Sequence, residues 1–377
     1  MSVPEVHGFV HDKFAAVRDA FAANLASGAD IGASFAATID GEPVADLWGG
    51  HRDEHKTKPW EKDTIVNVYS TTKTMCALTA LLCADQGLID FKAPVATYWP
   101  EFAQNGKDKV TVGHLMSHAA GVPGWEKKVT VEDIYDWNKA VGLLAEQEPW
   151  WEPGTVSGYH ALTQGYLVGE VVRRVKGKSL GTVFRDEIAR PLDADFHIGL
   201  PASEDARVGD LIPPTASLAT AASSDVAKRT FNNPVMTALE PRTRAWRAAE
   251  IPAAGGIGNA RSVALVQSIL ANDGTVRGQR FMSKEGARKA LEPQVEGTDL
   301  ILGAPIKFGL GYGLPGDMLP VPHPNTIFWG GWGGSLVVID YDAKMTLAYV
   351  PNRMVGTTTG DSRVAGMMFG MFAGLGG

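Results

Sequence analysis

Ser70-Thr71-Thr72-Lys73 offers the most direct route to covalent chemistry in this sequence. Positions i and i+3 share a helix face, so a helix starting there brings the Lys73 amine near the Ser70 hydroxyl. A serine hydroxyl is a weak nucleophile until a neighbouring base takes its proton. A buried lysine can be that base, because desolvation lowers its pKa and leaves a neutral amine. A helix N-terminus also favours the negative charge that develops there. The Ser-x-x-Lys pattern arises by chance in most long chains, as a capping serine followed by a solvated lysine. The context argues against that here. Met75, Leu78, Leu81 and Leu82 continue an apolar helix, so Lys73 in its first turn needs a polar partner or a lowered pKa.

Other patterns compete for the same role. Gly177-Lys178-Ser179-Leu180-Gly181 matches the G-x-S-x-G elbow, which requires a strand before it and a helix after it. Thr163–Val175 reads instead as a helix, with Leu167, Val168, Val171 and Val172 on one face, so Ser179 is expected to cap the helix that follows. Were Ser179 the nucleophile, Asp195 and His323 would be its partners in chain order. His114 and His118 stand four apart, as on a zinc-binding helix, but Leu115 occupies the place of the required glutamate and no third ligand is evident. No metal is expected. Gly255-Gly256-Ile257-Gly258 follows no convincing strand and reads as a loop facing the cleft rather than a phosphate cradle. Trp150 and Trp151 suit a pocket wall and a packed loop corner equally.

The elements that must position these groups follow from periodicity. Residues 10–27 predict an amphipathic helix with Phe14, Val17, Phe21 and Leu25 on its apolar face. Ser34–Ile39 and Pro43–Trp48 predict two strands joined by the hairpin signal Asp40-Gly41. A helix from about Ser70 to Gln86 stops at Gly87. Residues 100–250 show helical patterns split by Pro and Gly turns. Strand signals return at Asn325–Phe328, Ser335–Asp340 and Met345–Val350, and a helical tail begins near Ser362. The order predicts an α+β fold, an antiparallel sheet built from both chain ends around a mainly helical insertion, rather than a doubly wound βαβ alternation.

Composition narrows the class. The chain has 377 residues, 45% hydrophobic and 20% charged, the balance of a globular protein with a large core. Net charge is −7 and no basic stretch stands out, so nucleic acid is a poor partner. No window approaches 18 uninterrupted apolar residues, which predicts no membrane span, and the charged N-terminal stretch lacks an apolar signal core, which predicts a cytoplasmic location. Cys76 and Cys83, two helical turns apart, cannot pair within their helix and are expected as reduced core residues.

In order and spacing, several stretches together resemble one superfamily. These are Ser70-Thr71-Thr72-Lys73, the run Val110–Pro123 containing Leu115-Met116-Ser117-His118, and Glu152-Pro153-Gly154 leading into Gly158-Tyr159-His160. Ala260-Arg261-Ser262 and Gly330-Gly331-Trp332-Gly333-Gly334-Ser335 extend the match to nearly the whole chain. The chain resembles class C serine β-lactamases, penicillin-binding DD-peptidases and, above all, family VIII carboxylesterases. The resemblance implies the β-lactamase/DD-peptidase fold. Residues 1–100 and 250–377 would form an α/β domain and 101–249 a helical one, with the active site in the cleft between.

It also implies roles. Ser70 would be the nucleophile, with Lys73 and Tyr159 sharing general-base work and Tyr159 protonating the leaving group, its phenolate favoured by adjacent cations. Tyr159-His160-Ala161 stands at the family's Tyr-x-Asn motif, with Ala161 in place of the amide that helps lactamases hold a β-lactam side chain. Trp329-Gly330-Gly331 matches the esterase form of the third motif, Trp329 supplying an apolar wall where lactamases carry a cation for the substrate carboxylate. The backbone N–H groups of Ser70 and Trp332 would form the oxyanion hole. Substrate contacts are expected from Trp329, Gly330, Gly331, Trp332, His160 and Trp151. The implied activity is hydrolysis of short-chain carboxylic esters through an acyl-enzyme, with a small-molecule ester as partner and no cofactor. Acyl transfer, weak β-lactam or D-amino-acid peptide cleavage by the same residues, and an inactive ligand-binding homologue remain the alternatives. Oligomeric state is left open.

Overall fold

Asp40 and Gly41 both take positive φ, 53° and 78°, the conformation that lets a two-residue turn match the twist of its strands. They join β2 (Gly32–Ile39) to β3 (Glu42–Gly50), as the sequence predicts. The computed structural model describes residues 5–215, 222, 224–316, 319–357 and 361–376. β1 (Val6–Val10) pairs with β3, ahead of a short 3₁₀ turn and helix α1 (Ala15–Ser27). The single helix expected over residues 10–27 is therefore preceded by an edge strand. That strand is mostly exposed and lacks the alternation that would reveal it.

The late strands complete the sheet. With β4 (Val66–Asn67), β5 (Phe196–Ile198) and β6 (Gly256–Gly258) set apart in a small sheet of their own, the last three are β7 (Thr326–Gly330), β8 (Leu336–Asp340) and β9 (Met345–Pro351). The six-stranded order is β1-β3-β2-β9-β8-β7, antiparallel throughout. β2 meets β9 at the centre, with Phe35 opposite Tyr349, so the two chain ends share the middle of one sheet.

Side chains of these central strands alternate between two cores. Phe35, Leu47, Leu336, Val338, Leu347 and Tyr349 face α1 and the C-terminal helix α5 (Ser362–Leu375). Ala36, Val337, Ile339, Ala348 and Val350 face the opposite layer, which holds α2 (Thr72–Asp85) and α4 (Ala260–Ala271). The period-2 pleat is what lets one strand serve both layers. α2 is buried continuously from Thr72 to Cys83, as a helix enclosed on all sides must be. Cys76 and Cys83 are free and buried in it.

The small sheet β4-β6-β5 corrects one expectation. Gly255–Gly258 contains strand β6 rather than a loop, between β4 and β5. A Cβ at Gly256 or Gly258 would lie 2.5 Å from the Phe196 ring, so glycine is what admits the close packing. Its lack of side chains is also why no strand pattern is visible there.

Candidate active site

The nucleophile turn is built outward from β4. Asn67 donates to the Ala254 carbonyl and accepts from the Trp246 indole, and Val68 N–H donates to Gly256 O. The chain then makes one 3₁₀ turn, Tyr69–Thr71, before α2 begins at Thr72. Tyr69 sits at φ 44°, a strained value for a bulky residue, held there by its surroundings. Thr72 Oγ1 accepts from Gly256 N–H at 2.8 Å, and Ser335 Oγ donates to Val68 O at 2.8 Å while bonding Thr71 at 2.9 Å. Ser70 is thus clamped from both sheets, just ahead of the helix rather than inside it.

Lys73 is 1% exposed and its Nζ lies 3.2 Å from Ser70 Oγ. The amine donates to Ala161 O at 2.7 Å and to Ala253 O at 3.0 Å. Burial drives its pKa well below 10.5, and among the described residues no carboxylate forms an ion pair with it. A neutral amine has two N–H donors and one lone pair. The two carbonyls take the donors, which leaves the lone pair for Ser70. Cys76, one helical turn on, is inert: burial pushes its thiol up to about 12.

Tyr159 is buried, lines the same cleft as Ser70, and its hydroxyl is reached by the Trp329 indole N–H at 3.4 Å. Lys73 Nζ stands 4.8 Å from its ring centre. Burial holds the tyrosine pKa well above 10, so the resting group is a phenol. The expected cation-stabilised phenolate is not what this site favours, because its neighbouring amine is itself kept neutral. Asp299, which sequence reading missed, fixes the tyrosine in place. Its Oδ1 accepts the backbone N–H groups of Tyr159, Ile301 and Leu302 at 2.9–3.0 Å. Nothing local in the sequence marks it, because the contact spans 140 residues.

The glycine-tryptophan run meets this turn directly. A Cβ on Gly331 would lie 2.1 Å from Val68 O and 3.1 Å from Ser70 N, so the strand end is laid flat against the serine. Trp332 lines the cleft beside Ser70. Trp329 does not: it is 1% exposed, packed behind Tyr159 with Phe308 and His118. It backs the tyrosine instead of forming the expected wall. His160 is fully buried, its Nδ1 donating to Gly158 O and its Nε2 accepting from Val122 N–H. Trp151 covers Gly158, meets His160 edge-on and donates to Val156 O. Of the six expected substrate-contact residues, only Trp332 lines the cleft; Gly330 and Gly331 lie beneath it. Sequence spacing marked these positions but could not tell a surface from its support.

The cleft holds a cavity of about 50 Å³. Besides Ser70 and Tyr159 its walls include Tyr69, Pro123, Trp125, Phe231 and Met236, and no charged side chain is among the described lining residues.

The competing motifs resolve into structure. Ser179 caps the helix Leu180–Phe184, accepting from Thr182 N–H, and its hydroxyl donates to Glu250 at 2.6 Å. Asp195 is committed to Arg207 and His197, and His323 to Asp340. His114 caps its own helix through Thr111 N–H, while His118 Nδ1 accepts from His160 N–H.

Comparison with known proteins agrees with this arrangement. The profile of the Beta-lactamase family matches residues 17–367. The chain is 35% identical over 368 residues to the esterase/beta-lactamase LipL of Mycobacterium tuberculosis, covering 93% of this chain and 83% of that protein. A crystal structure of a family VIII carboxylesterase superposes with a TM-score of 0.94 at 42% identity, covering 98% of this chain and all of the other. A penicillin-binding protein homologue from Caulobacter crescentus superposes at 0.91 with 36% identity and the same coverage. With a serine clamped between two sheets, a neutral lysine against it and a family match over most of its length, the chain belongs to the β-lactamase family.

Proposed function

We propose that the protein is a serine carboxylesterase that hydrolyses short, uncharged esters through an acyl-enzyme on Ser70. The observation that carries this reading is the contact between Ser70 and an amine whose own N–H groups are already spent on Ala161 O and Ala253 O. Lys73 takes the serine proton as Oγ attacks the ester carbonyl. The oxyanion is held by the backbone N–H groups of Ser70 and Trp332. Tyr159, a phenol in the same cleft wall as Ser70, gives its proton to the departing alkoxide and is reprotonated from Lys73. A water activated by the same groups then attacks the acyl-enzyme, releasing the acid and restoring Ser70.

Two features favour esters over β-lactams. The described cleft wall has no cation for a lactam carboxylate, and Ala161 offers no side-chain amide; its carbonyl serves Lys73. The similar structure named as a family VIII carboxylesterase points the same way.

The test is turnover of p-nitrophenyl acetate and butanoate by the wild type, Ser70→Ala and Ser179→Ala, with a chromogenic cephalosporin alongside. Ser70→Ala should lose on the order of 10⁴-fold or more in kcat. Ser179→Ala should keep its activity and lose about 1 kcal/mol of stability through its helix cap. Activity that survives Ser70→Ala and dies with Ser179→Ala would overturn the assignment.

A further inference from the structure

The polar groups on the cleft wall can be accounted for one by one. Trp125 donates its indole N–H to Ala140 O, and Thr230 its hydroxyl to Val226 O. Asn233 accepts from Val129 N–H and donates to the carbonyls of Trp125 and Lys127. Ser70 meets the Lys73 amine, and the Tyr159 hydroxyl accepts from the Trp329 indole N–H. Two groups are left over. The Tyr69 hydroxyl and the Trp332 indole N–H are both buried and, among the described residues, both without a hydrogen-bond partner.

These two residues are 3% and 7% exposed, line the same cleft as Ser70, and have their rings 5.0 Å apart. An unmatched buried donor is costly, and native structures rarely keep one without a use. Here there are two in the same wall, one on the residue preceding the nucleophile and one on the residue expected to supply an oxyanion donor. The Tyr69 backbone is also held at φ 44°, a left-handed value that costs energy for a bulky residue.

We propose that Tyr69 and Trp332 form a specificity subsite for a second, uncharged acceptor oxygen of the substrate, a carbonyl or ether oxygen a few bonds from the scissile ester. An indole N–H only donates, and a phenol at neutral pH donates readily, so the group they meet is an acceptor. It is uncharged because the described wall has no cation, while the Glu240 carboxylate acts against negative charge at Tyr69. The preferred substrates are thus oxygen-bearing esters, such as alkoxy or oxo esters, over plain alkyl esters of the same size. This rests on the esterase reading and refines it.

The experiment uses ester pairs that differ by one ether oxygen in place of a methylene. The acyl arm compares p-nitrophenyl 3-methoxypropanoate with p-nitrophenyl pentanoate; the alcohol arm compares 2-methoxyethyl butanoate with butyl butanoate. An ether is better hydrated than a methylene, so without a donor the ether ester should be the poorer substrate. In at least one arm the wild type should favour the ether ester by about tenfold or more in kcat/KM. Tyr69→Phe should cut that ratio by about tenfold, because the hydroxyl goes while the ring stays. A wild-type ratio at or below one in both arms overturns the proposal without any variant, as does a ratio unchanged by Tyr69→Phe in protein with the wild-type circular dichroism spectrum. Failure of the esterase reading looks different: turnover of all four esters would be absent or indifferent to Ser70→Ala.

Discussion

Lys73 Nζ lies 3.2 Å from Ser70 Oγ, and its two remaining contacts are backbone carbonyls. An ammonium there would face the serine with a proton and could not act as base. Burial favours the neutral amine, holding its pKa well below 10.5. The rate should therefore rise with pH across that lowered pKa and stay level into the alkaline range, because Tyr159 remains a phenol there. A profile of kcat/KM against pH checks this. An acid limb centred near 10 would mean a charged lysine and would sink the mechanism. Lys73→Arg, which cannot become neutral, should lose at least about 10³-fold.

The same burial has a consequence for stability. Lysine released into the unfolded chain regains its ordinary pKa, so between the lowered and ordinary values the unfolded state holds one proton more. Stability then rises with pH across that interval and is lost as pH falls. Lys73→Met removes this dependence. The difference in unfolding free energy, variant minus wild type, should grow as pH is lowered from 10, by at most about 1.4 kcal/mol per unit. It should level off once the folded lysine itself protonates. Urea melts at several pH values measure this, and parallel pH dependences for the two proteins would show that Lys73 is charged when folded.

Much of this architecture was legible because it is written in local periodicity. The hairpin at Asp40-Gly41, the buried helix behind Ser70 and the three late strands all carry their own signals, and each lies where those signals put it. Strand β6 was missed because its glycines exist to let Phe196 approach, which leaves no pattern of side chains. Within the site, residue identity was readable but direction was not. Trp329 and Trp332 are three apart in one glycine-rich run, yet one backs Tyr159 and the other lines the cleft. Asp299 and the carbonyls of Ala161 and Ala253 were invisible for another reason: they act on Tyr159 and Lys73 from 88 to 180 residues away.

Trp329 now carries a sharper expectation. Its indole N–H reaches the Tyr159 hydroxyl at 3.4 Å, a long bond of modest strength. Trp329→Phe keeps most of the ring packing and removes the donor. We expect kcat to fall about 3- to 10-fold with KM nearly constant, since the bond touches the acid and not the substrate. Losing a donor to the phenol oxygen also raises the phenol pKa further, because that bond favours the ionised form, so the alkaline plateau should remain. A raised KM with unchanged kcat would return Trp329 to the role of substrate wall.

Gly331 is the most exacting position in the site. Its added Cβ would stand 2.1 Å from Val68 O, 2.5 Å from Ser335 Oγ and 3.1 Å from Ser70 N. The first obstacle is backbone, so no side-chain rotation relieves it. Gly331→Ala must push the end of β7 away from the serine turn, which spreads the Ser70 and Trp332 N–H groups. Losing one oxyanion donor costs on the order of 10²-fold in kcat, and this change disturbs both. Overpacking should also cost about 1–3 kcal/mol. Gly330→Ala is the control: there the nearest atoms are Ser335 O at 3.0 Å and Leu336 Cδ1 at 3.7 Å, neither of them in the serine turn, so kcat should suffer far less. Labelling by a serine-directed phosphonate separates the causes. If Gly331→Ala turns over esters within a few-fold of wild type, the oxyanion hole is not where Ser70 and Trp332 place it.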